Sequence, residues 1–248
     1  METSLSSAGV LVLLGLGLIF GLKHATEVDH VVAVSTIVSQ NRNLLRSVMV
    51  GALWGAGHTA SLLITGAIVL SLRVTIPERI SNWLELCVAL MILGLGISAL
   101  WRALRSGREL HLHEHSHDGV SHVHVHFHEA GTRHGQGHSS SHTHAISSIG
   151  IKPLLVGAMH GLAGSGALTL LVMTQVNSAW LGLLYLAIFG IGSIVGMLLM
   201  SGLIGLPFAL SSRNLSGIHH HLQTAAAGLS IAFGLWYAYV TGLASGLF

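Results

Sequence analysis

Apolar residues occupy this chain in blocks of about twenty or more, separated by short polar segments. A helix made from such a block is long enough to cross the ~30 Å hydrocarbon core of a bilayer. The first block would be ~50 Å long as one straight helix, so we expect it to tilt, extend beyond the bilayer or break. The pattern predicts an all-α integral membrane protein with six transmembrane helices, at roughly 8–39, 46–71, 82–103, 149–174, 180–209 and 220–246.

A polar segment of low complexity divides the predicted helices three and three. We therefore predict three units: helices one to three in 1–103, a histidine-rich loop in 104–148, and helices four to six in 149–248. An even division permits an inverted repeat of the kind found in transporters. Segments 50–64 and 156–172 are similar in sequence and lie in predicted helices two and four. These two helices would run in the same direction, so the similarity does not support an inverted repeat.

Composition and charge agree with a membrane location. Charged residues make up 8% of the chain, against about 25% in soluble domains, and the mean hydropathy is +0.71. Loops on one side of the predicted helices carry eight lysines and arginines, and loops on the other side carry two. The positive-inside rule then predicts both termini outside and the long loop in the cytoplasm. We expect the cytoplasmic (inner) membrane of a bacterial or archaeal cell.

Glycines recur at a spacing of four residues in several of the predicted helices. In lipid, small residues at this spacing let two helix backbones approach closely. Backbone unwinding beside a binding site is the alternative role. We predict close helix packing at Gly17/Gly21, Gly51/Gly55, Gly157/Gly161 and Gly192/Gly196.

The segment HATEVDH, residues 24–30, interrupts the first apolar block. It places two histidines and two carboxylates at membrane depth, where an ionisable group costs about 2.5–3.5 kcal/mol and usually marks an ion or substrate pathway. Imidazole nitrogen and carboxylate oxygen are donors that first-row divalent metal ions accept. Since Cys87 is the single cysteine, a thiolate cluster is excluded. We predict six metal ligands: His24, Glu27, Asp29, His30, His58 and His160.

The spacing of these residues leaves the role of Asp29 open. On a regular helix His24, Glu27 and His30 fall within an arc of about 120°, and Asp29 falls on the opposite side. Either the helix is distorted at the motif and brings Asp29 round, or Asp29 orients a histidine from another helix. Broken helices are common at the midplane sites of transporters, which favours distortion. His58 and the histidine in GAMHG lie in two further helices, so three helices could bring histidine to one cavity.

The motif resembles the signature helix of the nickel/cobalt transporter (NiCoT) family: Gly-Leu-Lys, then His24, four residues, and Asp29-His30. The segment LWGAGHTASLL around His58 resembles the family's second motif, and VGAMHGLAGSGALTLLV around His160 is similar to its NicO and UreH-like branch. The chain departs from typical members in having six predicted spans rather than eight and in lacking an acidic Phe-Asp-Thr motif. The resemblance implies a secondary permease with Ni²⁺ or Co²⁺ as transported substrate, no prosthetic group, and import into the cytoplasm.

Twelve of the nineteen histidines lie within 111–144, and eight of them alternate in two rows, 111–117 and 122–128. In an extended chain each row would face one side. The segment is poor in apolar residues, which predicts disorder. We interpret it as a low-specificity binding tract for divalent metal ions, and a solvated linker is the alternative. His219–His221 form a smaller cluster that is either an exit ligand or an interfacial anchor.

No enzymatic activity is expected. The sequence HEHSH at 113–117 fits the letters of the zinc-protease motif, but that chemistry needs a helix and this match lies in a histidine-saturated loop. Ser165 lacks a nucleophile motif, and neither lysine lies in a phosphate-binding loop. Expected partners are the metal ion, the lipid bilayer, and urease or hydrogenase maturation proteins, with no nucleic acid. The rival hypotheses are metal efflux, the membrane subunit of an ATP-driven importer, and a membrane-anchored metal buffer.

Overall fold

The computed structural model describes residues 7–41, 43–74, 76–106, 111–117, 120–126, 150–175, 178–214 and 216–247. Its helices are α1 (Ser7–His24), α2 (Val28–Val38), α3 (Leu44–Leu72), α4 (Glu78–Ser106), α5 (Lys152–Gln175), α6 (Ala179–Asn214) and α7 (Ser216–Ala238). A π-helical turn, Tyr239–Ala244, continues α7. Apart from one hairpin in the loop, the described chain is helical, as the apolar blocks predict.

Four helices of the described chain are long and apolar enough to cross a membrane: α3, α4, α6 and α7 with its continuation. The pair α1 and α2 makes a fifth if it is counted as one bent span. The predicted count of six is therefore only partly confirmed. Helix α5 occupies the position of the predicted fourth span, and the side chains of its second half lie outside the described residues. These helices are those of a membrane protein.

The first apolar block is broken at the charged motif, where α1 and α2 meet at a bend of 52°. The last turn of α1 tightens: the backbone N–H of Thr26 donates to the carbonyl of Lys23 at 2.9 Å, and that of Glu27 to the carbonyl of His24 at 3.1 Å. Glu27 is extended, with φ −64° and ψ 148°, and α2 starts after it. The first apolar block, which is too long for one straight span, is therefore divided into two helices by a break and does not form one tilted helix.

Glycines lie where helix backbones touch. A Cβ on Gly157 of α5 would overlap the carbonyl of Trp54 on α3, and one on Gly57 of α3 would overlap the carbonyl of Leu154 on α5. The predicted close packing is confirmed, because a Cβ at any of the eight predicted glycines would meet a neighbouring helix within about 3 Å. The partners are Tyr185, Phe189, Met197, Ile194, Trp54, His58, Leu18 and Ala25.

Replacing Gly157 with alanine should destabilise the protein by about 1–3 kcal/mol, the usual penalty of overpacking, because two backbones must separate. Gly164 on the same helix is the matched control, since a Cβ there meets no described atom within 4 Å. Alanine at Gly164 should be neutral or stabilise the helix by up to about 1 kcal/mol. Unfolding in mixed detergent micelles measures both values. Equal effects would show that the α3–α5 contact is not tight.

The histidine-rich loop contains two strands, β1 (His111–His117) and β2 (Val120–His126), which pair antiparallel. The predicted disorder is therefore not confirmed for these fourteen residues, and the described chain is not entirely helical. The other residues of 107–149 lie outside the described part of the chain.

Candidate metal centre

The break between α1 and α2 brings the predicted ligands to one place. His24 ends α1, while Asp29 and His30 lie in the first turn of α2. His58 lies in the middle of α3 and His160 in the first half of α5. Contacts link these five residues to one another, and Glu27 reaches the group through His24.

Three histidine rings form a triangle. The ring centroids are 4.5 Å apart between His24 and His30, 5.0 Å between His24 and His58, and 5.5 Å between His30 and His58. Nε2 of His24, Nε2 of His30 and both ring nitrogens of His58 are buried and have no hydrogen-bond partner among the described residues. Leaving such a group unpaired costs about 1–3 kcal/mol. The triangle is therefore suited to a cation that accepts electron pairs from nitrogen.

The Asp29 carboxylate joins two of the histidines. Its Oδ1 accepts from Nδ1–H of His30 at 3.0 Å and from the backbone N–H of His30 at 2.8 Å, and its Oδ2 accepts from Nε2–H of His160 at 2.9 Å. The helix is broken at the motif, and the Asp29 carboxylate contacts a histidine of another helix. These bonds leave Nε2 of His30 and Nδ1 of His160 as the basic nitrogens.

Glu27 lies at the open side of the cluster. Its Oε2 accepts from Nδ1–H of His24 at 3.0 Å, and 55% of its side chain is exposed, against 12% for His24. The bond takes up Nδ1 of His24 and leaves its Nε2 as the basic nitrogen. Glu27 therefore connects the buried histidines with the surface of the bundle.

Two groups in the described chain have the spacing of a metal site. Each residue of the set His24, His30 and His58 offers an atom within 4.8 Å of the others, and so does each residue of the set Asp29, His30 and His160. Hydrogen bonds explain the closeness of the second set. In the first set, buried ring nitrogens have no partner among the described residues. Atoms bound to one ion at ~2.1 Å lie roughly 3–3.5 Å apart, so small movements of the three rings would bring their nitrogens to the spacing of a metal site.

Sequence reasoning missed the aromatic residues that surround the cluster. Trp54 is fully buried, with its ring centroid 6.2 Å from that of His30 and 6.0 Å from that of His160. Phe189 of α6 lies 5.5 Å from the His24 ring. Trp54 precedes His58 by one helical turn, and this spacing could have indicated from sequence that Trp54 lies beside the cluster. Nothing in the sequence distinguishes Phe189 from the other apolar residues of its helix.

His219, in the smaller cluster, is held by protein groups. Its Nδ1 lies 3.2 Å from Oγ of Ser211 and its Nε2 lies 3.0 Å from Nε2 of Gln223. Gln223 in turn donates to the carbonyl of Ser39 at 2.9 Å, after the end of α2. These contacts hold the His219 ring between α6, α7 and the end of α2.

Long apolar helices around a buried group of histidines and carboxylates define a membrane protein with a polar centre inside its helix bundle. The chain is 40% identical over 246 residues to the urease accessory protein UreH of Bacillus sp. (strain TB-90), and the match covers 96% of each chain. It therefore belongs to the family of the urease accessory protein UreH, which confirms the resemblance to the UreH-like branch. No family model and no solved structure matches the chain.

Proposed function

We propose that this protein is a secondary transporter that carries Ni²⁺ into the cytoplasm, with Co²⁺ as the alternative substrate. The observation that carries the proposal is the triangle of His24, His30 and His58, whose buried ring nitrogens lack partners in the described chain. Imidazole suits nickel and its neighbours in the first row, whereas magnesium and calcium prefer oxygen. The donor set therefore favours a late transition metal over the common divalent cations.

The arrangement supports a sequence of capture and transfer. Glu27 is the exposed carboxylate, so it would meet the hydrated ion first and hand it to His24. The ion would then lose water to His30 and His58, while Asp29 holds the rings in their basic tautomers. A membrane potential of 100 mV favours inward movement by about 2.3 kcal/mol per charge, so import needs no second substrate.

Supply of nickel for urease assembly is the proposed physiological role, supported by the name of the UreH relative. Urease or hydrogenase maturation proteins are the proposed partners on the cytoplasmic side. The proposed orientation places both termini outside and the histidine-rich loop in the cytoplasm, because that arrangement puts eight of ten loop lysines and arginines inside.

Uptake of ⁶³Ni²⁺ by cells that express intact protein, His24→Ala, or a deletion of 111–144 tests the proposal. We expect His24→Ala to reduce uptake to background and the loop deletion to retain it, because the triangle lies in the helix bundle. His221→Ala is the control for loss of a histidine, since its side chain is exposed on α7. Loss only in the loop deletion would indicate a metal buffer, and faster metal loss than in control cells would indicate an exporter.

A further inference from the structure

A carboxylate that takes no part in the steps described above lies in the membrane-spanning part of α4. Glu85 is the eighth residue of this helix, about 10 Å along a span that begins at Glu78. Apart from Glu78 in the first turn, it is the single acidic residue in the sequences of α3 to α7. An ionisable group at membrane depth is costly and usually marks an ion or substrate pathway. Glu85 therefore indicates a role connected with the ion.

Glu85 lies on the face of α4 that packs into the helix bundle. Val88, Ala89 and Ile92 follow it at intervals of three, four and seven residues, and all three are buried. Residues at these intervals share one face of a helix. Val88 and Ile92 pack in the same core cluster as residues of α2 and α7. The partly buried side chain of Glu85 is therefore on the inner side of α4 and not on its lipid side.

The charge of Glu85 acts on the metal centre. Glu85 interacts electrostatically with Asp29, whose carboxylate contacts two of the histidines. Tyr237 of α7 interacts with the charges of Glu85, Asp29 and Glu27, so all three carboxylates lie near this side chain. Coulomb interactions are strong where the dielectric constant is low, as it is inside a helix bundle in lipid. A cation in the histidine triangle would therefore be attracted by Glu85.

Glu85 differs from the other two carboxylates in having no histidine partner. Asp29 and Glu27 accept hydrogen bonds from ring N–H groups and so determine which ring nitrogens are basic. No described residue forms an ion pair with Glu85. Neutral imidazole carries no charge with which to distinguish a divalent from a monovalent cation. A nearby negative charge does distinguish them, because its attraction is proportional to the charge of the ion.

We propose that Glu85 is a specificity-determining residue of the metal centre, where its negative charge favours divalent over monovalent cations without coordinating the ion. The proposal rests on the proposed function only in taking the histidine triangle as the place where the ion binds. Monovalent ions such as Ag⁺ also bind imidazole nitrogen, so the histidines alone would admit them. Glu85 gives the divalent ion an advantage that depends on charge and not on the choice of donor atoms.

The variant Glu85→Gln keeps the shape of the side chain and removes its charge. We expect the Kd for Ni²⁺ to rise by about tenfold and the Kd for Ag⁺ by about threefold, because the lost Coulomb attraction is twice as large for the divalent ion. Quenching of Trp54 fluorescence measures both values in the full-length protein in lipid nanodiscs and chloride-free buffer. The Trp54 ring lies 6.2 Å from that of His30, and the Trp54→Phe form of each protein gives the background of the other tryptophans.

Two further variants separate charge from structure. Glu85→Asp keeps the charge and should bind both ions with affinities close to those of the wild type. Glu78→Gln removes the same charge from an exposed position on the same helix and should also bind normally. Unchanged Ni²⁺ affinity in Glu85→Gln, equal losses for the two ions, or equal losses in Glu85→Gln and Glu85→Asp would overturn the proposal. Binding is measured without transport, so a wild type that binds Ni²⁺ but does not carry it would contradict the transport proposal alone.

Discussion

Replacing His30 with alanine should reduce Ni²⁺ transport by about a hundredfold or more. The His30 ring lies at the centre of the cluster, with its centroid 4.5 Å from that of His24, 5.5 Å from that of His58 and 4.0 Å from that of His160. The change removes a nitrogen of the proposed site and also one of the two rings that the Asp29 carboxylate contacts. Loss of an orienting partner alone usually costs 10–100-fold in metal affinity or activity, so loss of a ligand should cost more.

Uptake of ⁶³Ni²⁺ into proteoliposomes under an imposed potential measures this effect. The matched control is Thr36→Val on the same helix, because Thr36 is also buried and its hydroxyl donates to the carbonyl of Val32 in its own helix at 3.0 Å. That variant should transport at a rate near that of the wild type. If His30→Ala kept more than about a tenth of the wild-type rate, His30 would not be a metal ligand.

Asp29→Asn should weaken Ni²⁺ binding by about 10–100-fold. The Asp29 carboxylate accepts from ring N–H groups of His30 and His160 through different oxygens. Asparagine has a single side-chain oxygen, so one ring would face an N–H donor and lose its orientation. Titration of the purified protein with Ni²⁺ gives the affinity, and uptake gives the consequence for transport.

Glu27→Gln is the comparison and should have a small effect. Glutamine keeps an oxygen that can accept from Nδ1–H of His24, so the bond that orients this ring is retained. A larger loss in Glu27→Gln than in Asp29→Asn would contradict this order. Glu27 would then be the principal carboxylate of the site.

The candidate site could be predicted from sequence because ionisable residues are rare in apolar blocks. His24, His30, His58 and His160 stand out against neighbours that are almost all apolar, and membrane burial forces such residues towards one another. The length of the first block allowed a tilt, an extension beyond the bilayer or a break, since the block exceeds one membrane thickness, and the structure has the break. The way in which the two helices meet did not follow, because a 52° bend depends on packing against other helices.

The hairpin escaped prediction for a different reason. Composition indicates whether a segment can build an apolar core, and the loop is too polar for one. Composition does not report how strands pair, and it gave no indication that 111–117 and 120–126 would align as an antiparallel hairpin. The similarity between segments 50–64 and 156–172 can be recognised in the sequence. Their contact cannot, and the structure shows that they pack against each other through Gly57 and Gly157.

Backbone contact at the glycines fixes the spacing of the helices that carry three of the four histidines. Helix α1 touches α6 at Gly21, α6 touches α3 at Gly51, and α3 touches α5 at Gly157. Touching backbones cannot slide without overlap, so His24, His58 and His160 keep their distances from one another. Helix α2 is tied to this frame by side chains, because Asp29 accepts from His160 and Gln223 donates to the carbonyl of Ser39. The histidines are therefore preorganised, and an ion that binds them has little backbone rearrangement to offset.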